Sequence, residues 1–454
     1  MQRILERYFV VWATVLPMMS LLVFPSIQGT TPAYLLALAS IGWVPFIRRE
    51  TGTSYVRSLF LFFAAWLVLI IGSQAALFLS HVQSFPHVRM VDFDDTSVFF
   101  RRSLATQSLY LFACFLTFLF FRYIYRSEWQ KHLFLGGWLL AGYGIYEWLF
   151  YLLFHQPGDF IANRSFSGDH PGSWSQVMHF GTLDLLRIKS VTGEPSFFAL
   201  SAIPYLIFAL HARRWYLAAA LLFALIFSFS TSAYFALLVL AVYCFIAFRT
   251  WRHKHLLLAI CLAVVIGVAL FCFPVVYQTV IEQKLTGQSQ SAVERKWIYE
   301  SAWFFWLNSS ALAKLFGIGF GYAYVIPLLG GVLVNTGLAG LAIYFAAFLI
   351  PLIRLPNTQD AWPLKSALLV ILFLLSTSIS EFAYPTTWMV LGLAYRQLDR
   401  LKRRNKAGTN ADDFQSLQQR IKDRTRSFRE GAQKQDAPLC KTVDPVKSSL
   451  TSAR

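Results

Sequence analysis

Arg187-Ile188-Lys189-Ser190-Val191-Thr192-Gly193-Glu194-Pro195-Ser196-Phe197-Phe198-Ala199 carries the chain from a charged loop into an apolar run. Thr192 is a capping residue type, Pro195 has no backbone N–H to lose in a first helical turn, and the apolar residues from Phe197 onward continue a helix. A carboxylate, Glu194, is thereby held at a helix mouth beside two cations, Arg187 and Lys189. On spacing alone, the helix dipole accounts for Glu194 and the helix start for Pro195. The fold class follows from how often such apolar runs recur.

Hydrophobic residues make up 56% of the chain and charged residues only 14%, with a mean hydropathy of +0.51, which excludes a soluble domain for most of it. Apolar runs recur from Tyr8 to Tyr395, too long and too free of alternation for barrel strands. The expected fold is all-α, a polytopic membrane helix bundle. The first run, Tyr8 to Ile27, has basic flanks but no convincing small-residue cleavage site after it, so it reads as a retained span.

Short basic loops stay in the cytoplasm, which orients the spans. Helices near 8–27 and 31–47 return the chain to Arg48, Arg49 and Arg57, and those near 58–80 and 103–121 return it to Arg122, Arg126 and Lys131. Spans near 132–154 and 195–211 lead to Arg213 and Arg214, and a tight pair near 215–230 and 233–248 leads to Arg249, Arg252 and Lys254. Four more, near 256–276, 328–353, 364–380 and 384–395, give about twelve helices with both termini cytoplasmic. Residues 1–395 thus form a transmembrane domain. Residues 396–454 form a polar, basic, mostly disordered cytoplasmic tail with too few large apolar residues to build a core. Its lysines and arginines serve as a positive-inside anchor or bind anionic membrane lipids; nothing in the net charge of +17 argues for nucleic acid. Cys114, Cys244, Cys261 and Cys272 fall in predicted helices and Cys440 in the tail, so no disulfide is expected.

Two outer segments, near 155–194 and 277–327, are too long to be connectors. The first mixes Asp159, Arg164, Asp169, His170, His179, Asp184, Arg187 and Lys189 with aromatic residues, a composition suited to phosphate and sugar but shared by solvated loops. His170 and His179 lack a third ligand at metal spacing, so no metal is assigned. The second holds Glu294-Arg295-Lys296-Trp297 and Trp303-Phe304-Phe305-Trp306, the pattern of an interfacial helix or an aromatic anchor. Gly317-Ile318-Gly319-Phe320-Gly321 follows no strand and reads as a backbone turn dipping toward the membrane. Glu147, inside a span, and Glu381, followed by Tyr384, either line an outward cavity or serve as structural carboxyls.

In this order, Arg187, then Gly-Glu-Pro-Ser-Phe-Phe-Ala from Gly193, a Ser-Thr-Ser hairpin at Ser230–Ser232, Glu294-Arg295-Lys296-Trp297, the glycine turn and Asn335-Thr336-Gly337-Leu338-Ala339-Gly340 resemble the O-antigen polymerase and ligase superfamily of envelope polysaccharide enzymes. The resemblance covers roughly 187–395, and its Glu-Pro-Ser element is typical of exopolysaccharide and capsule repeat-unit polymerases. It implies a GT-C-like, cofactor-free and metal-independent glycosyltransferase. Such an enzyme moves a glycan from an undecaprenyl-pyrophosphate donor to an acceptor glycan on the periplasmic face, with a chain-length regulator and a flippase as partners.

For such chemistry, Arg187 and Arg295 supply cations for the leaving pyrophosphate, with Arg164, Lys189 and Lys296 as second choices. Glu194 acts as the base or holds Arg187 in place. Ser196, Glu147, Glu381 and Tyr384 complete the candidate substrate contacts. Ligases of the superfamily carry a His shortly before the small-residue helix; Gly321 to Gly340 contains none, which favours a polymerase. The alternatives are a ligase, a flippase for the same lipid-linked glycan and an envelope scaffold. The transporter reading lacks the internal duplication and midplane charges such folds show.

Overall fold

The computed structural model describes residues 1–25, 27, 29–165, 174–180, 183–247 and 290–404. The span expected near 256–276, together with Asp169, His170 and most of the tail, lies outside them. Two compact units are present, Met1–Leu398 and Asp399–Arg454; every element below belongs to the first, and of the second the described residues 399–404 are helical.

The first half runs through α1 (Gln2–Val15), α2 (Pro32–Ala39, continued as a 3-10 turn to Phe46), α3 (Arg49–Leu79), α4 (Arg102–Leu119) and α5 (Gln130–Phe154). A short hairpin, β1 (Val177–Phe180) and β2 (Leu183–Leu186), pairs antiparallel with Val177 opposite Leu186, a small departure from the all-α expectation. Then come α6 (Pro195–His211), α7 (Trp215–Ile226), α8 (Thr231–Ala247), α9 (Gln290–Asn308), α10 (Ala311–Phe316), α11 (Leu328–Arg354), α12 (Trp362–Thr377) and α13 (385–398).

Among the described residues, three helices are long and apolar enough to cross a membrane: Arg49–Leu79, Arg102–Ile124 and Leu328–Arg354; five shorter apolar helices accompany them. Phe60, Val68, Ile71 and Ile353 stand exposed on the long helices. In water they would form an unfavourable patch, whereas in lipid they meet their solvent. These are the features of a helical membrane protein. At the centre lies α6, buried from Pro195 to Leu210 and flanked by α5, α7, α8 and α12. A helix that is apolar all round belongs in the middle of a bundle.

The expected first span, 8–27, is corrected: α1 stops at Val15, because Pro17 and Pro25 remove backbone donors and Gly29 takes a left-handed conformation. Residues 16–25 form instead an irregular strap. Leu21 bridges to Arg164, Ser165 N–H donates to Ser20 O at 2.7 Å, and Ser20 Oγ donates to Val191 O at 2.9 Å. The strap therefore joins the first outer segment to the turn that precedes α6.

The glycine turn after α10 packs on a break in α11. Gly337 has φ 65°, and a Cβ there would lie 2.3 Å from the Leu315 backbone. Gly317, at φ 76°, approaches Asn335 just as closely, and the Asn335 amide closes the turn through both Ala323 N–H and Ala323 O. Only glycine permits this approach from both sides.

Candidate active site

Ser190–Thr192 form a single 3-10 turn, Gly193 follows at φ 81°, and Glu194 is extended, so the chain enters α6 at Pro195 with the Glu194 side chain at its mouth. Thr192 does not cap the helix as its residue type suggests. Its hydroxyl donates instead to Lys189 O at 2.7 Å and to Glu194 O at 3.2 Å, stitching the turn to itself. Glu194 accepts from Ser196 Oγ at 2.8 Å, which orients the carboxylate.

Glu194 and Arg295 line one cavity of about 220 Å³, together with Ser196, Phe197, Tyr324 and Ser378–Ser380. Arg295 Nη1 reaches Ser378 O at 3.5 Å. Arg187 does not line the cavity but stands behind it. Its guanidinium donates to Ser228 O at 3.2 Å, to Phe229 O at 3.1 Å and to Gln176 Oε1, so the α7–α8 hairpin holds it through backbone carbonyls. Burial pulls its pKa down to about 10; nearby Glu194 opposes the shift and Arg295 adds to it. Arg187 thus stays a cation at neutral pH, within electrostatic reach of both residues.

A second cavity of about 340 Å³ lies between α3, α4, α11 and α13, lined by apolar and aromatic side chains including Trp66, Phe115, Tyr344 and Trp388. It shares Tyr324 and Ser380 with the polar cavity. Glu381 lies on its wall, accepting Ala383 N–H at 2.8 Å, and burial lifts its pKa above the usual carboxylate value. Tyr384 is buried with its ring 5.2 Å from that of Phe197.

Three expected substrate contacts are instead found in a closed network under the turn. Lys189 Nζ meets Asp159 Oδ2 at 3.2 Å, and Arg164 Nη1 meets Asp159 Oδ1 at 3.4 Å. Arg164 Nη2 donates to Ser190 O at 2.6 Å, while Ser190 N–H donates to Glu147 Oε2 at 3.0 Å. All four charged side chains are buried; Arg164 and Glu147 hold the backbone of the turn, and none of Arg164, Lys189 and Glu147 lines the cavity. Ser190 needs that hold: its φ of 52° is unusual for a residue with a side chain. Burial pulls the Lys189 ammonium below its usual range, against the pull of Glu147 and Asp159.

Lys296 is not brought to the cavity. Consecutive helical residues point about 100° apart, so on α9 Arg295 faces inward while Lys296 is exposed and pairs with Glu300 at 3.8 Å. The connection 80–101, which holds none of the residues expected at the site, supplies Arg89 to the cavity wall. The charged cluster of Arg89, Asp92, Asp94, Asp95, Arg101 and Arg102 is the available signal.

Residues 216–331 match the family model described as O-antigen ligase, Wzy_C, about a quarter of the chain. The matched stretch includes α7, α8, α9 and the glycine turn, and with them Arg295 and Arg187's backbone acceptors; Arg187 and Glu194 precede it. It agrees with the superfamily that the ordered motifs resemble. No curated protein and no solved structure matches the chain.

Proposed function

We propose that this membrane protein, whose matched stretch suggests O-antigen ligase or polymerase-type activity, is a repeat-unit polymerase. On this reading it transfers an undecaprenyl-pyrophosphate-linked glycan to the end of an acceptor glycan on the periplasmic face of the inner membrane. Its about twelve spans leave both termini and the basic tail in the cytoplasm. One observation carries the reading: the carboxylate of Glu194 and the cation of Arg295, from segments a hundred residues apart, line one polar cavity beside an apolar one. A donor with a charged head and a prenyl tail needs that pairing of surfaces.

The acceptor hydroxyl attacks the anomeric carbon of the donor glycan, a new glycosidic bond forms, and the bond from that carbon to the diphosphate oxygen breaks. Charge gathers on the departing prenyl diphosphate, where Arg295, with Arg187 behind it, stabilises it. Glu194, oriented by Ser196, accepts the hydroxyl proton or keeps Arg187 aligned. The absence of His between Gly321 and Gly340 favours polymerase, while the name of the matched family keeps ligase as the second reading.

Glycan length in cells carrying Glu194→Gln or Arg187→Ala tests the proposal. Single repeat units are expected to accumulate, with polymer reduced about a hundredfold or more. Normal polymer from both variants would remove these residues from the chemistry. Lipid-linked units trapped on the cytoplasmic face would point to a flippase, and intact polymer left untransferred would point to a ligase.

A further inference from the structure

The connection 80–101 is tied to the glycine turn by a one-residue bridge. Met90 pairs with Ala323, Tyr324 N–H donates to Arg89 O at 2.8 Å, and Val91 N–H donates to Tyr322 O at 2.8 Å. Val88 is buried in a cluster with Ile298, Ala302 and Tyr322, so the Arg89 backbone is fixed on both sides. Its side chain remains 48% exposed, lies 5.3 Å over the Tyr324 ring and meets the carboxylate of Glu294, itself 55% exposed. Arg89 and Glu294 line the same cavity as Glu194 and Arg295.

We infer that Arg89 is a further diphosphate-binding cation of this cavity, held in reserve by Glu294, which makes Glu294 a determinant of selectivity for diphosphates over monophosphates. The inference rests on the proposed function. In the free cavity the charges of Arg89 and Arg295 are matched by those of Glu194 and Glu294. An incoming anion therefore gains a cation by displacing a carboxylate. The Arg89–Glu294 pair is open to solvent, and exposed pairs contribute little to stability, so displacement costs little. An arginine fork on phosphate oxygens makes parallel charge-assisted bonds in return. A diphosphate brings enough charge to win that exchange, whereas a monophosphate competes with Glu294 on nearly equal terms. Tyr324 keeps the released guanidinium at the rim through a cation–π contact.

The full chain in lipid nanodiscs is titrated with geranylgeranyl diphosphate and with geranylgeranyl monophosphate, which share a tail, and each variant's thermal unfolding is recorded. Arg89→Ala is expected to weaken diphosphate binding about tenfold, the loss of one charge-assisted contact, with little change for the monophosphate. Glu294→Gln is expected to act in the opposite direction, tightening both ligands and narrowing the preference between them. Arg89→Ala combined with Glu294→Gln is expected to bind the diphosphate more tightly than Arg89→Ala alone, because an unpaired carboxylate leaves the cavity, and more weakly than Glu294→Gln alone. Wild-type diphosphate binding that Arg89→Ala leaves intact, or that Glu294→Gln weakens, overturns this inference and leaves the proposed function standing. A wild-type chain that binds no diphosphate overturns both.

Discussion

Within a few residues of each other, the chain builds two opposite arrangements of the same charged groups. Under the turn, Asp159 pairs with Arg164 and Lys189 and Glu147 holds the Ser190 N–H, with all four side chains buried. At the mouth of α6, Glu194 and Arg295 face an open cavity, with Arg187 behind. The difference lies in what is left over. Burial makes every unpaired charge costly, so a closed network commits its groups to each other and to the backbone of Ser190. The open cavity leaves carboxylate and guanidinium faces available to a ligand. A cluster of charges in a loop is therefore a site only where the fold leaves room beside it.

The largest expected effect lies in the closed network. Asp159→Ala leaves Arg164 and Lys189 buried without the carboxylate they share, and should destabilise the chain by about 3–5 kcal/mol. Adding Lys189→Met should recover part of the loss, because one buried cation goes with it. Thermal unfolding of the detergent-solubilised chain reads both. If Asp159→Ala unfolds like the wild type yet abolishes activity, the contrast breaks and Asp159 belongs with the substrate contacts.

Gly193 is the joint between the two arrangements, and it gives the next effect. At φ 81° an alanine is strained, at a cost of about 1–2 kcal/mol, which the fold can absorb but the aim of Glu194 cannot. Gly193→Ala should therefore lower glycan transfer far more than it lowers unfolding temperature, while leaving the Asp159 network intact. Equal losses in both measurements would mean that the turn is one rigid body with the network beneath it.

What could be read from residue order is local. Pro195 and the run from Phe197 to Leu210 marked α6 at 195–211, where it stands at Pro195–His211, because a proline start and an uninterrupted apolar run need no partner to be recognised. The same holds for α11, expected near 328–353 and found at Leu328–Arg354. Where distant segments meet, residue order is silent. Arg164 and Lys189 carry the composition of phosphate ligands, yet Asp159 claims both through pairings that no spacing announces. Arg89 reaches the cavity only because a bridge joins 89–91 to 322–324, more than two hundred residues away. The short α1 is legible in principle, since Pro17 lies inside the apolar run of the expected first span.

Glu381 gives the smallest effect and the sharpest version of the contrast, for it belongs to neither arrangement. It is a carboxyl on an apolar wall that accepts from the backbone N–H groups of Ala383 and Phe382, and among the described residues no cation pairs with it. Burial raises its pKa above the usual value near 4.5, so between those two values the folded chain holds a proton that the unfolded chain has lost. Stability should then be greatest at the acid end of that window and fall as pH rises through it, because the carboxylate is better solvated unfolded. Glu381→Gln keeps an acceptor for Ala383 but cannot ionise, so this part of the pH slope should disappear. Should the variant retain the wild-type slope, Glu381 is already ionised in the folded chain, and the apolar cavity beside it is wetter than its lining implies.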